Sequence, residues 1–79
     1  MKITLKLFAT FRRYLPPQAQ GSAFELDVPV GSSVADVLSR FEVPTDGAAV
    51  LLVNGRTADP GQVLEEGDAL AAFPAMAGG

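Results

Sequence analysis

The sequence predicts an α+β domain, a mixed sheet of four to five strands with one main helix packed on one face. Three observations carry that expectation. Two segments near the N-terminus alternate apolar and polar residues, the period of a strand with one buried face. A later segment places Val34, Val37, Leu38 and Phe41 at i, i+3, i+4 and i+7, one apolar face of a helix. Beyond it, short apolar runs are separated by Asn54-Gly55, Asp59-Pro60-Gly61 and Glu66-Gly67-Asp68, residues that turn a chain. The 79 residues make one domain. That is near the lower limit for a self-sufficient core, because so short a chain buries only about 60% of its unfolded surface.

The elements follow in order. In residues 2–9, KITLKLFA, Ile3, Leu5 and Leu7 point one way and Thr4, Lys6 and Phe8 the other. Phe11, Tyr14 and Leu15 come next at one-turn spacing with Arg12 and Arg13 between them. That is a short helical turn, ended by Pro16-Pro17. QAQGS leads into AFELDVPV, where Phe24, Leu26 and Val28 alternate with Glu25 and Asp27. This is the second strand, antiparallel to the first. Gly31-Ser32-Ser33 breaks the pattern, and Ser33 with Asp36 three positions on resembles a capping box at a helix start. An anion at that helix start is the sharper reading of the Gly-Ser-Ser run; an ordinary cap is preferred. Val43-Pro44 is expected to end the helix.

AVLLV, residues 49–53, is a strand, and Asn54-Gly55 supplies the two positive-φ positions of a tight hairpin. Residues 56–59 return as a brief strand. Residues 68–73, DALAAF, form the last one, with Leu70 and Ala72 on one side and Ala69, Ala71 and Phe73 on the other. Pro74 is expected to stop the pairing, having no N–H to donate. A right-handed crossover sets the last strand beside and parallel to the first. Leu5, Leu7, Leu26, Val28, Val37, Leu38, Phe41 and Leu70 are the expected core.

The chain has no Cys and no His. It therefore has neither the soft ligands of a zinc site nor the usual base for a nucleophilic Ser or Cys, and disulfide-stapled scaffolds are excluded. Carboxylates are spread singly, apart from Glu65, Glu66 and Asp68, which read as a solvated turn. No glycine-rich phosphate loop follows a strand. Net charge is −3, and the six basic residues form no run beyond Arg12-Arg13. A nucleic-acid binder needs a denser basic face, so no nucleic acid is expected. The acidic balance instead suits a partner with a basic groove. The N-terminus has neither a signal-peptide pattern nor a membrane span, so the expectation is a cytoplasmic protein with no membrane partner.

The chemistry then rests on the ending FPAMAGG, residues 73–79. A C-terminal carboxylate is ionised at neutral pH. It can attack the α-phosphate of ATP, release pyrophosphate and become an acyl adenylate. A sulfur nucleophile can then displace AMP and leave a thiocarboxylate. Glycines at 78 and 79 have no Cβ to block that approach. The six residues after Phe73 reach roughly 20 Å when extended. The protein in this reading is a substrate and not an enzyme.

FPAMAGG resembles the FPPxxGG ending of MoaD/ThiS-type ubiquitin-like sulfur carriers, above all the small subunit of molybdopterin synthase. KLFATFRRYL resembles that family's LFAxLRE segment, and GSSVADVL and EEGDALAAFP fit its helix start and last strand. The resemblance spans essentially the whole chain. It departs at Ala75, where the motif has a second proline, and at Met76, so the tail is less rigid. The resemblance implies a β-grasp domain over residues 1–74 and a flexible diglycine tail over 75–79. Gly79 would carry the adenylate and thiocarboxylate, with Gly78, Ala77 and Pro74 threading the tail. No cofactor would be bound; ATP and a sulfur donor would be used by a ThiF/MoeB-type adenylating enzyme. The second partner would be the molybdopterin synthase large subunit or another sulfur acceptor. The same ending occurs in carriers for thiamine, cysteine and thionucleoside synthesis and in modifiers joined to lysines. A non-covalent β-grasp interaction module is the alternative from another class.

Parity supplies a docking surface. If Leu5, Leu7, Leu70 and Ala72 face the helix, then Phe8 and Phe73 face away, at the same end of parallel neighbours. AVLLV adds either Val50 and Leu52 or Leu51 and Val53 to that face, and parity does not separate the pairs. Phe8, Phe73 and Leu52 are the candidate docking residues.

Overall fold

The computed structural model describes residues 1–45 and 49–75. Its elements are β1 (Lys2–Leu7), a 3-10 helix (Ala9–Tyr14), β2 (Ala23–Asp27), α1 (Val34–Arg40), β3 (Ala49–Val53), β4 (Arg56–Thr57) and β5 (Ala69–Pro74). The sheet order is β2-β1-β5-β3-β4. β1 and β5 run parallel in the middle, and the other pairs are antiparallel. This is the β-grasp arrangement expected from the sequence. The first and last strands lie side by side, with Leu5 level with Leu70 and Leu7 level with Ala72.

The alternation in β1 works as anticipated. Ile3, Leu5 and Leu7 are buried together with Leu70 and Ala72 of β5, Val34, Val37 and Leu38 of α1, and Leu26 and Val28 from β2 and its exit. Burial of this apolar surface is the main force holding so small a domain together. Phe41 departs from the expectation. It is half-buried at the rim of the core, where its ring meets Phe24 edge-on at 6.2 Å. The core also takes in Phe11, Val43, Leu51, Val53, Ala58 and Leu64.

The helix starts where its cap residues dictate. The Ser33 hydroxyl accepts from the Asp36 N–H, and the Asp36 carboxylate accepts from the Ser33 N–H. It ends earlier than Val43-Pro44 would require, because Glu42 adopts φ 61°. The Glu42 N–H then donates to the Ser39 carbonyl and the Val43 N–H to the Leu38 carbonyl. That pair of bonds is a Schellman ending, with Glu where Gly usually stands. It folds Val43 back into the core beside Leu38.

Three boundaries also move. β1 stops at Leu7, because Ala9 takes φ 54° and swings the chain into the 3-10 helix. β4 keeps only Arg56 and Thr57 of the brief strand expected over 56–59, and the chain beyond it crosses toward α1, with the Val34 and Ala35 N–H groups donating to the Gln62 and Pro60 carbonyls. Pro74 does not stop the pairing but belongs to β5, level with Ala49. Along β5 the backbone groups of Ala72 point toward β1, where its carbonyl accepts from the Phe8 N–H. Pro74, two residues on, points its nitrogen the same way. β1 has by then turned off, and the Phe8 carbonyl accepts from the Phe11 N–H instead. The missing proline N–H leaves no ladder acceptor without a donor.

A candidate docking face at the root of the tail

Opposite the core, the sheet presents residues of the other parity. Phe8 sits one residue past the Leu7–Ala72 pair, so it is level with Phe73. Its backbone is extended, at φ −120° and ψ 164°. Both its backbone groups are bonded, the N–H to the Ala72 carbonyl at 3.1 Å and the carbonyl to the Phe11 N–H at 3.1 Å. Ala9 then reverses direction, which lets Phe11 enter the core while Phe8, 39% exposed, stays on the open side.

β3 resolves the pair that parity left open. Leu51 and Val53 are buried, level with Ala72 and Leu70. Val50 and Leu52 therefore occupy the open face, level with Phe73 and Ala71 and half-buried there. The top row of this face runs Phe8, Phe73, Val50. The next runs Lys6, Ala71, Leu52, Thr57. The three docking candidates thus lie on one surface, with Val50 added to them. β5 leads the chain out through Phe73 and Pro74 beside the top row. Ala77, Gly78 and Gly79, which the sequence marks for threading and chemistry, lie outside the described residues.

Three cations adjoin this end. Lys6 is in the second row, and Arg12 and Arg13 are exposed on the 3-10 helix that follows Phe8. The Arg13 guanidinium lies over the Tyr14 ring, 5.2 Å from its centroid, and donates to the Tyr14 hydroxyl at 3.3 Å. The acidic turn lies at the other end, and two of its acids have structural tasks. The Glu66 carboxylate accepts from the Lys2 N–H, and the Asp68 carboxylate accepts from the Glu65 N–H and from Asn54 Nδ2. Among the described residues no group of three or more metal-ligating side chains comes together. In the Gly-Ser-Ser run, Ser33 forms the capping box with Asp36 and the Ser32 hydroxyl donates to the Pro29 carbonyl. Among the described residues, too, no helix is long and apolar enough to cross a membrane. The sequence reading passed over two exposed apolar residues, Val30 and Val63. Their single-residue placement in loops carries no periodic signal.

The Mut7-C ubiquitin family model matches residues 1–78. None of the curated protein sequences matches the chain. Solved structures do. The HVO 2177 protein of Haloferax volcanii is 31% identical over all of this chain and 87% of that one, with a TM-score of 0.79. SAMP1 from the same organism is 25% identical over the full length of both chains, with a TM-score of 0.74. A putative molybdopterin converting factor, subunit 1, from Pyrococcus furiosus is 25% identical over 92% of this chain and 95% of that one, with a TM-score of 0.71.

Proposed function

The chain belongs to the Mut7-C ubiquitin family, among the MoaD/ThiS-like ubiquitin-like proteins, and from that membership we propose that it is a sulfur carrier activated at the Gly79 carboxylate. One observation carries the reading. β5, a central strand, leaves the sheet at Pro74 beside an apolar row of Phe8, Phe73 and Val50, with AMAGG still to follow. A partner seated on that row receives the tail within reach of its own catalytic groups. The carboxylate attacks ATP, pyrophosphate leaves, and sulfur displaces AMP to give the thiocarboxylate. The chain supplies the acyl group, and a ThiF/MoeB-type enzyme supplies the catalysis. The acceptor in this proposal is the large subunit of a molybdopterin synthase. The likeness to a converting-factor subunit 1 supports that choice.

The likeness to SAMP1, a small archaeal modifier protein, favours a second reading, in which the same activated tail is transferred to a lysine amine. Both readings require the terminal carboxylate. Deleting Gly79, or replacing Gly78 with a bulky residue, should abolish ATP–pyrophosphate exchange on the adenylating enzyme while the melting curve stays unchanged. Exchange that survives the deletion refutes both.

A further inference from the structure

The amines of the chain are the α-amine of Met1 and the side chains of Lys2 and Lys6. The first is engaged: the Met1 ammonium donates to the Val28 carbonyl at 2.8 Å, in a half-buried position. The two lysines share a strand and a face but have different surroundings. Lys6 stands in mid-sheet between Ala23 of β2 and Ala71 of β5, one row from Phe8 and Phe73. A partner seated on the apolar row covers it. Lys2 lies four residues back, about 13 Å down β1, at the opposite end of the sheet. Its backbone is held there by the Glu66 carboxylate, which accepts its N–H, and by the Gly67 N–H, which donates to its carbonyl. Its side chain is exposed.

We propose that Lys2 is the chain's own acceptor site and takes the activated C-terminus of a second copy. The proposal rests on the lysine-transfer reading above and names the acceptor. A copy that approaches the adenylating enzyme with its Lys6 end foremost also presents the apolar row, docks as a donor and buries Lys6. A copy that approaches with the other end presents Lys2. A chain acylated at Lys2 keeps its apolar row and its own tail free, so it can be activated in turn. An acyl group on Lys6 would stand in the interface. In the step, Lys2 Nζ attacks the Gly79 acyl carbon of the second copy's adenylate. The C–N amide bond forms, the C–O bond to AMP breaks with its electron pair leaving on AMP, and the amine proton passes to solvent. ATP spent in the adenylation drives the transfer. Reach opposes capture within one chain. The Lys2 carbonyl meets Gly67, seven residues before Pro74, about 23 Å away along the sheet. The five residues after Pro74 span about 17 Å when extended, and they would first have to turn back.

The test incubates the full chain with ATP and the purified ThiF/MoeB-type adenylating enzyme of the same organism, and reads the products by intact-mass and fragment mass spectrometry. A species of two chains less one water is expected, branched at Lys2. Lys2→Arg should abolish it and leave pyrophosphate exchange and the melting curve unchanged. Because the chain has no Cys, Lys2→Cys and Lys6→Cys each give a unique thiol for a bulky maleimide-polyethylene glycol label. In calorimetric titration without ATP, the label at position 6 should weaken docking on that enzyme about tenfold, and the label at position 2 less than about twofold. A branch at Lys6, a linked pair that survives Lys2→Arg, a single chain lighter by one water, or equal loss of docking from both labels overturns the proposal. So does the absence of any linked pair while pyrophosphate exchange proceeds, a result that leaves the sulfur-carrier reading standing. Failure of exchange itself falls on the Gly79 activation and takes the acceptor site with it.

Discussion

Asn54 holds together the hairpin between β3 and β4 and the start of β5, and substituting it separates those contributions. Its φ is 52° and that of Gly55 is 83°, the two left-handed positions of a tight two-residue turn. Its side chain also acts as a clamp. Nδ2 donates to Asp68 Oδ1 at 2.9 Å, and Oδ1 accepts from the Ala69 N–H at 2.9 Å. Asn54→Ala removes both bonds, worth about 1 kcal/mol each at an exposed site. It also leaves an L-residue in the left-handed region, at a cost of about 1 kcal/mol. The expected loss is about 3 kcal/mol, a large share of the roughly 4–12 kcal/mol that holds a domain of this size. Asn54→Gly loses the bonds but not the backbone fit, so it should cost about 2 kcal/mol. Urea unfolding of the three proteins reads these differences directly, and the Ala variant should melt about 15 °C below the wild type. Equal stability of the Ala and Gly variants, or a loss below about 0.5 kcal/mol in both, would refute the clamp and the strain argument together.

Leu38 has no exposed surface and lies at the centre of the helix–sheet core; Leu38→Ala should cost about 2–5 kcal/mol in urea unfolding, and a wild-type midpoint would show that the helix face is misassigned. Glu42 sits at φ 61° in the helix ending, so Glu42→Gly should stabilise by about 0.5–1 kcal/mol, and a lower melting temperature would count against the Schellman description. Phe8 is exposed and makes its anchoring bonds through its backbone; Phe8→Ser should weaken binding to both the adenylating enzyme and the sulfur acceptor while the melting curve hardly moves. Unchanged affinity for both would remove Phe8 from the interface.

The strands, the helix and the hairpin were legible because each rests on local rules. Period two set β1 and β2, the Ser33–Asp36 spacing set the helix start, and Asn54-Gly55 set the turn. Features that depend on which backbone groups meet were not legible. Pro74 pairs within β5 because β1 has already turned away, which the residues around Pro74 do not reveal. Glu42 ends the helix in a conformation that glycine would have announced and glutamate conceals. AVLLV is apolar throughout, so its facing waited on the register with β5. Leu64, almost fully buried from an irregular segment, carries no periodic neighbours to mark it. In the candidate site, parity alone placed Phe8 and Phe73, while Leu52 waited on the register of β3 with β5. The gathering of Lys6, Arg12 and Arg13 at the same end required the 3-10 helix to be set against the sheet.

The sulfur chemistry proposed at Gly79 is read most directly by mass. The chain should be co-expressed with its adenylating enzyme and a sulfur donor, purified, and measured by intact-mass and fragment mass spectrometry. A species is expected in which one carboxylate oxygen at Gly79 is replaced by sulfur, absent when the adenylating enzyme is omitted. An unmodified Gly79 carboxylate under those conditions, with the enzyme active on ATP, would contradict that proposal.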